Sequence, residues 1–419
     1  MKEPIVNTEG DPPYLQGKKM VGPYERLFWD AVKKEKELVE EFNKRHKIKD
    51  PYVGIDAAHL HLCRAFTLDT KYLAHIETSP MEAAKLPLSA KQDMVGDLHR
   101  GVAYTEESLT ERMAFAAEML IFFGARRAST CIDATPDIGF RAMHVAIKLK
   151  KKLAKEKRLN LAIGPTPIFG LREDRWDVFA EAARLPEVDF LAGLPEKDMV
   201  ADLNRKDGRI GFQRHIRKVM DLACEVGKEV QFHLDQMNIE PERGTELLLE
   251  ALEGYVEQPK VPNHNPKDPV TWVIHMISPS CYDEQRFRRL VDGLLKHNVG
   301  VIVCPTAGLS MRQHAAMKTR THNCMARVLE LCVMRVPVKI GPDNMGDAFV
   351  PQTDGNMFDE IKLLGYAIRH AQTSFYAKLA MGIPLNNIDR GIAANVLRQD
   401  YEINSNDDPS WKPPIKLKS

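Results

Sequence analysis

Two histidines one residue apart, His59 and His61, follow the run Tyr52-Val53-Gly54-Ile55-Asp56-Ala57-Ala58. In an extended strand the side chains at i and i+2 leave the same face, so both imidazoles can converge on one cation. The apolar run before them reads as a buried strand, which puts the pair at the rim of a sheet. An HxH pair by itself also fits a packed core, but three more polar groups later in the chain add to it. His233 closes Phe232-His233, His275 closes Trp272-Val273-Ile274-His275, and Asp343 comes after Ile340-Gly341-Pro342. Each polar group therefore ends a run of β-formers. Imidazoles with one carboxylate and an open position suit one divalent metal, Zn2+ or Fe2+, whose coordinated water becomes nucleophilic near neutral pH. Hydrolysis is the expected reaction class.

Elements must bring these groups together. Short β-rich runs at Tyr52 to Asp56, Ala128 to Ala134, Leu159 to Gly164, Val188 to Ala192, Glu229 to Leu234, Val270 to His275, Val299 to Cys304 and Pro337 to Gly341 alternate with helical periodicity. The clearest helices are Ser108 to Phe123, Ile138 to Ala154, Phe212 to Val226, Gln285 to Lys296 and His322 to Cys332. Strand then helix, repeated, means parallel strands. The expected fold is α/β, a (β/α)8 TIM-type barrel spanning 51–350 with the polar groups at its C-terminal edge; a doubly wound open sheet is the alternative. Residues 1–50 read as a polar entry followed by a solvated, charged helix over Glu25 to Lys49. Residues 351–419 read as one long helix over Glu360 to Met381, a shorter helical stretch, and a polar tail from about Asn404 that is mobile or packs on a partner subunit, which leaves a homo-oligomer open.

Composition excludes several partners. The 419 residues carry 59 basic and 58 acidic side chains, a formal charge of +1, so no overall field favours nucleic acid or an anionic membrane. The lysine-rich stretch Lys148 to Lys157 lies on a helix without interleaved aromatics and reads as a solvated face. The start, Met1-Lys2-Glu3-Pro4, lacks an apolar signal region, and no run approaches a membrane span. The seven cysteines are scattered and never spaced as CxxC, which suits reduced thiols and a cytoplasmic protein. A small molecule is the expected partner.

With Asp56-Ala57-Ala58-His59-Leu60-His61-Leu62, Thr130-Cys131-Ile132-Asp133-Ala134-Thr135, Gly193-Leu194-Pro195-Glu196, His233-Leu234-Asp235 and Gly341-Pro342-Asp343-Asn344-Met345-Gly346-Asp347 in this order, the chain resembles the amidohydrolase superfamily. Within it, the resemblance is to the cytosine deaminase-like branch of metal-dependent aminohydrolases. The resemblance implies that His59, His61, His233 and Asp343 ligate one metal, while His275 hydrogen-bonds the coordinated water. It also implies a mononuclear site, since strand four offers no bridging lysine.

The departures from that branch bear on chemistry. Its deaminases place a proton-shuttling Glu three residues after the strand-five His, where this chain has Gln236, and an amide cannot carry that proton. Asp343 and His275 are then left to handle proton traffic. The Pro-Gln that reads a pyrimidine edge in the branch is replaced by Pro165-Thr166-Pro167, which argues against cytosine itself as the substrate. The β-sandwich that many relatives build from both termini has no counterpart in the pattern. Substrate-facing candidates are Arg64 and Phe66 after the HxH, Thr166 after strand three, Asn238 after Gln236, and Asn344 beside the metal Asp. Arg64 could equally pair with a nearby carboxylate, Asn344 could cap a loop, and Asp133 is expected to support a ligand histidine.

The resulting reading is a mononuclear aminohydrolase, deaminase or cyclic amidohydrolase acting on a small nitrogen-containing heterocycle. The alternatives are a non-catalytic ligand-binding barrel that has lost the shuttling Glu, or another metal-dependent hydrolase such as a lactonase. The HxE and PCxxC signature of zinc nucleoside deaminases is absent, and so is HExxH.

Overall fold

The computed structural model describes residues 10–16, 21–199, 208–254, 256–310 and 324–407. Eight parallel strands, β1 (Ile55–Leu60), β2 (Ala125–Asp133), β3 (Asn160–Thr166), β4 (Phe190–Gly193), β5 (Glu229–Leu234), β6 (Thr271–His275), β7 (Val299–Val303) and β8 (Val338–Ile340), alternate with helices. They form a three-stranded sheet, β1-β2-β3, and a five-stranded sheet, β4 through β8 in order. The sheets meet at two seams. At one, Asp189 N–H donates to Ile163 O (2.9 Å) while the Asp189 carboxylate accepts from Ile163 N (2.8 Å). At the other, Leu60 and Asp343 form a parallel bridge.

Side-chain alternation sorts the strands into two packing layers. Ala57, Leu60, Phe232, Val273, Val301 and Val303 join the main core against the helices. Ala58, Trp272, Ile274, Ile302 and Cys304 form a separate cluster on the opposite faces of the strands. That second cluster is the floor on which the histidines stand. Gln231 and His233, two apart on β5, face the same way, so one strand runs from the floor to the candidate site.

The first strand begins later than its apolar run predicts. Gly54 sits at φ +155°, where a side chain is strained, and a Cβ there would lie 2.6 Å from Arg126 Cγ, so pairing starts at Ile55. β1 also carries one extra residue: Ala57 pairs with Ala128 but Leu60 with Thr130. This bulge lies within the segment that carries His59, which belongs to the strand itself; only His61 lies beyond its end.

Both flanking extensions differ from expectation. The N-terminal helix Pro23–Arg45 is not merely a solvated face, because it buries Phe28, Trp29 and Val32, worth about 2 kcal/mol each on burial. It packs on helix Thr373–Ala380, where Lys378 Nζ reaches Glu35 (3.2 Å) and Asp389 (2.8 Å). The single helix expected over Glu360 to Met381 is two, Met357–Ile368 and Thr373–Ala380, because Arg369 turns left-handed at φ 53° and ends the first. The last helix, Asn387–Asp407, runs past the expected start of the tail; residues 408–419 lie outside the described ones, as does the beginning of the helix expected from His322, of which Val328–Val333 is helical. The lysine run lies on helix Arg141–Lys155 and is occupied by ion pairs, Lys148 with Glu106, Lys150 with Asp189 and Lys151 with Glu187. Among the described residues, no helix is long and apolar enough to cross a membrane, no strand lies outside the eight, and the cysteines are free.

Candidate metal centre

His59, His61, His233, His275 and Asp343 come together at the C-terminal ends of β1, β5, β6 and β8, and all are at least 95% buried. His233 Nε2 lies 3.2 Å from His59 Nε2 and 3.3 Å from His61 Nε2. Asp343 Oδ1 lies 3.4 Å from His59 Nε2 and 3.2 Å from His61 Nε2. A tetrahedron with arms of about 2.05 Å, the usual length for zinc with nitrogen or oxygen, has edges of about 3.3 Å. Four of the six separations among the donors, those of His59 and His61 with His233 and with Asp343, thus match that edge.

Their hydrogen bonding fits the same group. Two imidazole nitrogens facing each other are poor partners, and Asp343 Oδ1 is buried with no hydrogen bond of acceptable geometry. A cation would satisfy all four atoms at once. His275 stands one step back, its Nε2 3.8 Å from Asp343 Oδ2, as suits a proton-handling group beside the ligands.

The backbone holds the groups in place. Asp343 N–H donates to His59 O (3.0 Å) and His61 N–H donates to Asp343 O (3.0 Å), so the seam between β1 and β8 runs through the site. Asp343 and His275 adopt φ of 64° and 76°, conformations that cost about 1–3 kcal/mol each and cluster at functional sites.

Burial pushes His61 and His275 down to about 4, and burial with the neighbouring imidazoles pushes His233 well below its usual range, leaving neutral rings. Burial also opposes charge on His59, but Cys131 and Asp343 outweigh it and raise that ring to about 10, so a proton and a metal compete for it. Asp343 is lifted by burial, yet the His59 and His61 contacts hold it well below the carboxylate range.

Cys131 is an addition that the sequence pattern does not signal. His59, His61, His233 and Cys131 offer ligand atoms within 4.8 Å of one another. The Cys131 Sγ, however, lies 3.9 Å from His59 Nδ1, the nitrogen opposite the one turned toward His233, so the thiol backs the ring while Asp343 faces the donors.

Around the donors a space of about 30 Å3 is lined by Arg64, Thr166, Leu194, Gln236, Asn344 and Phe349, with Leu88 and Gln92 of helix Leu88–Arg100 also on its wall. Thr166 points a buried hydroxyl without a partner toward it. Gln236 Nε2 donates to Glu196 Oε2 at 3.0 Å, and Glu196 Oε1 accepts from Asp235 N at 2.9 Å. Glu196 thus stands beside the site, although in the sequence it is only one letter of a motif. Asn344 lines the space but spends its Nδ2 on Asp347 (2.5 Å).

Of the two readings of Arg64 the pairing one holds, and the expectations for three other residues, Asp133, Phe66 and Asn238, change. Arg64 lines the space, yet its guanidinium forks onto Asp133, with both side chains buried, so it is paired and not free for a ligand. Asp133 supports that arginine together with Tyr104 (2.6 Å) and His99 (3.4 Å), and no ligand histidine. Phe66 and Asn238 stand away from the lining. Phe66, at φ 56°, packs its ring on Phe115 (5.1 Å between centroids), and Asn238 ties loops together through Cys324 (3.0 Å), Ser280 (3.2 Å) and Cys281 (3.3 Å).

The fold is similar to that of 5-methylcytosine deaminase from Klebsiella pneumoniae, with a TM-score of 0.61 and 19% identity over 81% of this chain and 74% of that one. It is also similar to that of N-isopropylammelide isopropylaminohydrolase from Burkholderia multivorans ATCC 17616, with a TM-score of 0.56 and 15% identity over 82% and 74% of the two chains. No family model matches the chain, and no curated protein matches it.

Proposed function

We propose that this chain is a mononuclear metal-dependent hydrolase on a (β/α)8 barrel, acting on a carbon–nitrogen bond of a small nitrogen-containing heterocycle. The observation that carries the reading is the set of four donors in which His59 and His61 each stand 3.2–3.4 Å from both His233 and Asp343, with an orphaned carboxylate oxygen among them. The bridge from Leu60 to Asp343 and the contacts between β3 and β4 support a closed barrel over an open sheet. The names of the two similar folds, a deaminase and an aminohydrolase, support release of ammonia or an amine.

A bound Zn2+ or Fe2+ supplies Lewis acidity and lowers the pKa of water to near neutrality. The chain's own groups do the rest. Asp343 Oδ2, turned to His275, takes up a proton from the attacking water, and His275 steadies the charge that develops on the ring. Gln236, its NH2 held by Glu196, turns its carbonyl oxygen to the space and accepts from a ring N–H. Thr166 offers its free hydroxyl to a second ring position. Buried apolar walls, Leu194 and Phe349, exclude bulk water.

The test is metal analysis of the purified protein together with ammonia and amine release from cytosine, 5-methylcytosine and N-alkylamino-triazines. One equivalent of metal with turnover of a ring amine is expected. A metal-free protein that stays inert after loading with Zn2+ and Fe2+ overturns the hydrolase reading in favour of a ligand-binding barrel, the reading that Gln236 favours.

A further inference from the structure

A second cavity, of about 740 Å3, opens at the other end of the strands. It is bordered by residues at the starts of β1, β5, β6 and β8, among them Asp56, Glu229, Trp272 and Lys339, and is roofed by the segment Gly382 to Leu385 and by Arg390 of the last helix. Its volume is that of a small-molecule site. Nothing in the hydrolase reading uses it.

Its charges are unevenly matched. Lys339 lies 3.4 Å from Asp56, and His264 lies 3.5 Å from Glu229. Arg127 is tied to Asp50. Arg335 and Arg390 also line the cavity, and among the described residues neither forms an ion pair with a carboxylate. Arg335 reaches Asn387 Oδ1 (3.4 Å), and Arg390 Nε donates to the carbonyl of Cys332 (3.3 Å). Asn387 and Arg390 are three apart on one helix face, so the guanidinium of Arg335 is drawn to the turn that carries Arg390. Burial and repulsion from Arg335 press on Arg390, and the neighbouring Cys332 and Asp389 offset them only in part. Arg335 is held there by a left-handed backbone, φ 72°, a conformation that a residue of this kind rarely adopts. Trp272 also lines the cavity, with Lys339 Nζ 4.9 Å from its ring.

We propose that Arg335 and Arg390 form a binding site for a small anion, a carboxylate or phosphate, in this cavity at the end of the strands opposite the candidate metal centre. Paired guanidinium forks match the planar or tetrahedral oxygens of such a group and would be relieved of mutual repulsion by it.

Calorimetric titration of the full chain, as purified and metal-loaded, with inorganic phosphate and separately with succinate at low ionic strength tests the site. One anion per chain is expected, with succinate the tighter ligand if an organic acid is the natural one and phosphate if a phosphate is. Arg335→Gln and Arg390→Gln should each weaken binding about tenfold, the loss of one charge-assisted fork. Arg335→Lys should weaken it less. Arg335 is exposed, so Arg335→Gln serves if Arg390→Gln fails to fold. Absence of binding of both anions, or binding that neither Gln variant changes, as when the anion sits on the metal, overturns the proposal. The readout needs no turnover, so it stands apart from the test of the hydrolase reading.

Discussion

Replacing Gln236 by Glu restores the residue type that the resembled deaminases use, and the structure says what it costs. The amide of Gln236 lies 3.0 Å from Glu196 Oε2, so a carboxylate there would face another at about the same distance. Burial, with Glu242 and Asp235 nearby, already lifts Glu196 well above the carboxylate range. Two unit charges about 3 Å apart repel by about 5 kcal/mol at an effective dielectric of about 20. That is about four pK units, so the pair keeps one proton through neutrality. The folded protein then binds more protons than the unfolded chain, whose carboxyls titrate near about 4.3, and stability falls as pH rises. The parent's Glu196 already keeps its proton, so Gln236→Glu should run with the parent up to the pH at which that Glu196 ionises and, relative to it, lose about 1.4 kcal/mol for each pH unit above, to a limit of about 5 kcal/mol. Urea melts followed by circular dichroism between about pH 5 and 9 measure this. In Gln236→Glu combined with Glu196→Gln the slope should vanish, and any ammonia release from cytosine should exceed that of the single variant. A pH-independent difference from the parent, or a double variant as steep as the single, would refute the proximity on which the reasoning rests.

Further outcomes are expected. Asp343→Asn should lower turnover by about 10^2–10^4, the usual worth of a general acid–base group, with unchanged circular dichroism; parental rates would remove Asp343 from the chemistry. Chelation should lower the melting temperature and metal return should restore it, since a ligand at about a thousand times its Kd contributes about 4 kcal/mol; a melting temperature indifferent to metal would empty the proposed centre of meaning. Arg64→Ala strands the buried Asp133 and should cost about 3–5 kcal/mol near neutrality. Burial opposes the Asp133 charge, but Arg64 and His99 hold its carboxyl well below the usual range, so this stabilisation is present above the unfolded pKa and lost as pH falls through the folded one. The gap between Arg64→Ala and the parent should therefore close in acid, and a gap that persists there would point to packing instead.

Much of the architecture was legible because parallel strands are covered on both faces and read as continuous β-branched runs, as Val299 to Val303 does. The helix Phe212–Val226 is read with its ends because Gly227, left-handed at φ 64°, stops it. The start of β1 is less legible, since a bulge depends on pairing with β2 and leaves no periodic trace. Glu196 could be seen as a letter but not as a neighbour of Gln236, because a contact between residues forty apart is set by the packing of β4 beside β5. Arg64 carried two readings, and the choice fell to Asp133 on the adjacent strand. The helix Leu88–Arg100, which brings Leu88 and Gln92 to the wall of the site, has the pattern of an ordinary surface helix, and nothing in it signals where it comes to rest.

The peptide of Asp343 is knitted to His59 and His61, so the earliest and latest strands of the array are clasped at the spot where the cation would sit. During synthesis the two leading imidazoles emerge long before that aspartate, and a nascent chain that has not yet reached it holds only an incomplete cage. If the proposed metal binds there, its uptake and the docking of the last strand would belong to a single event, each strengthening the other. An ion held at this clasp would work as a rivet on the scaffold as well as a reagent, so starving the protein of metal should loosen β8 before it loosens the middle of either sheet.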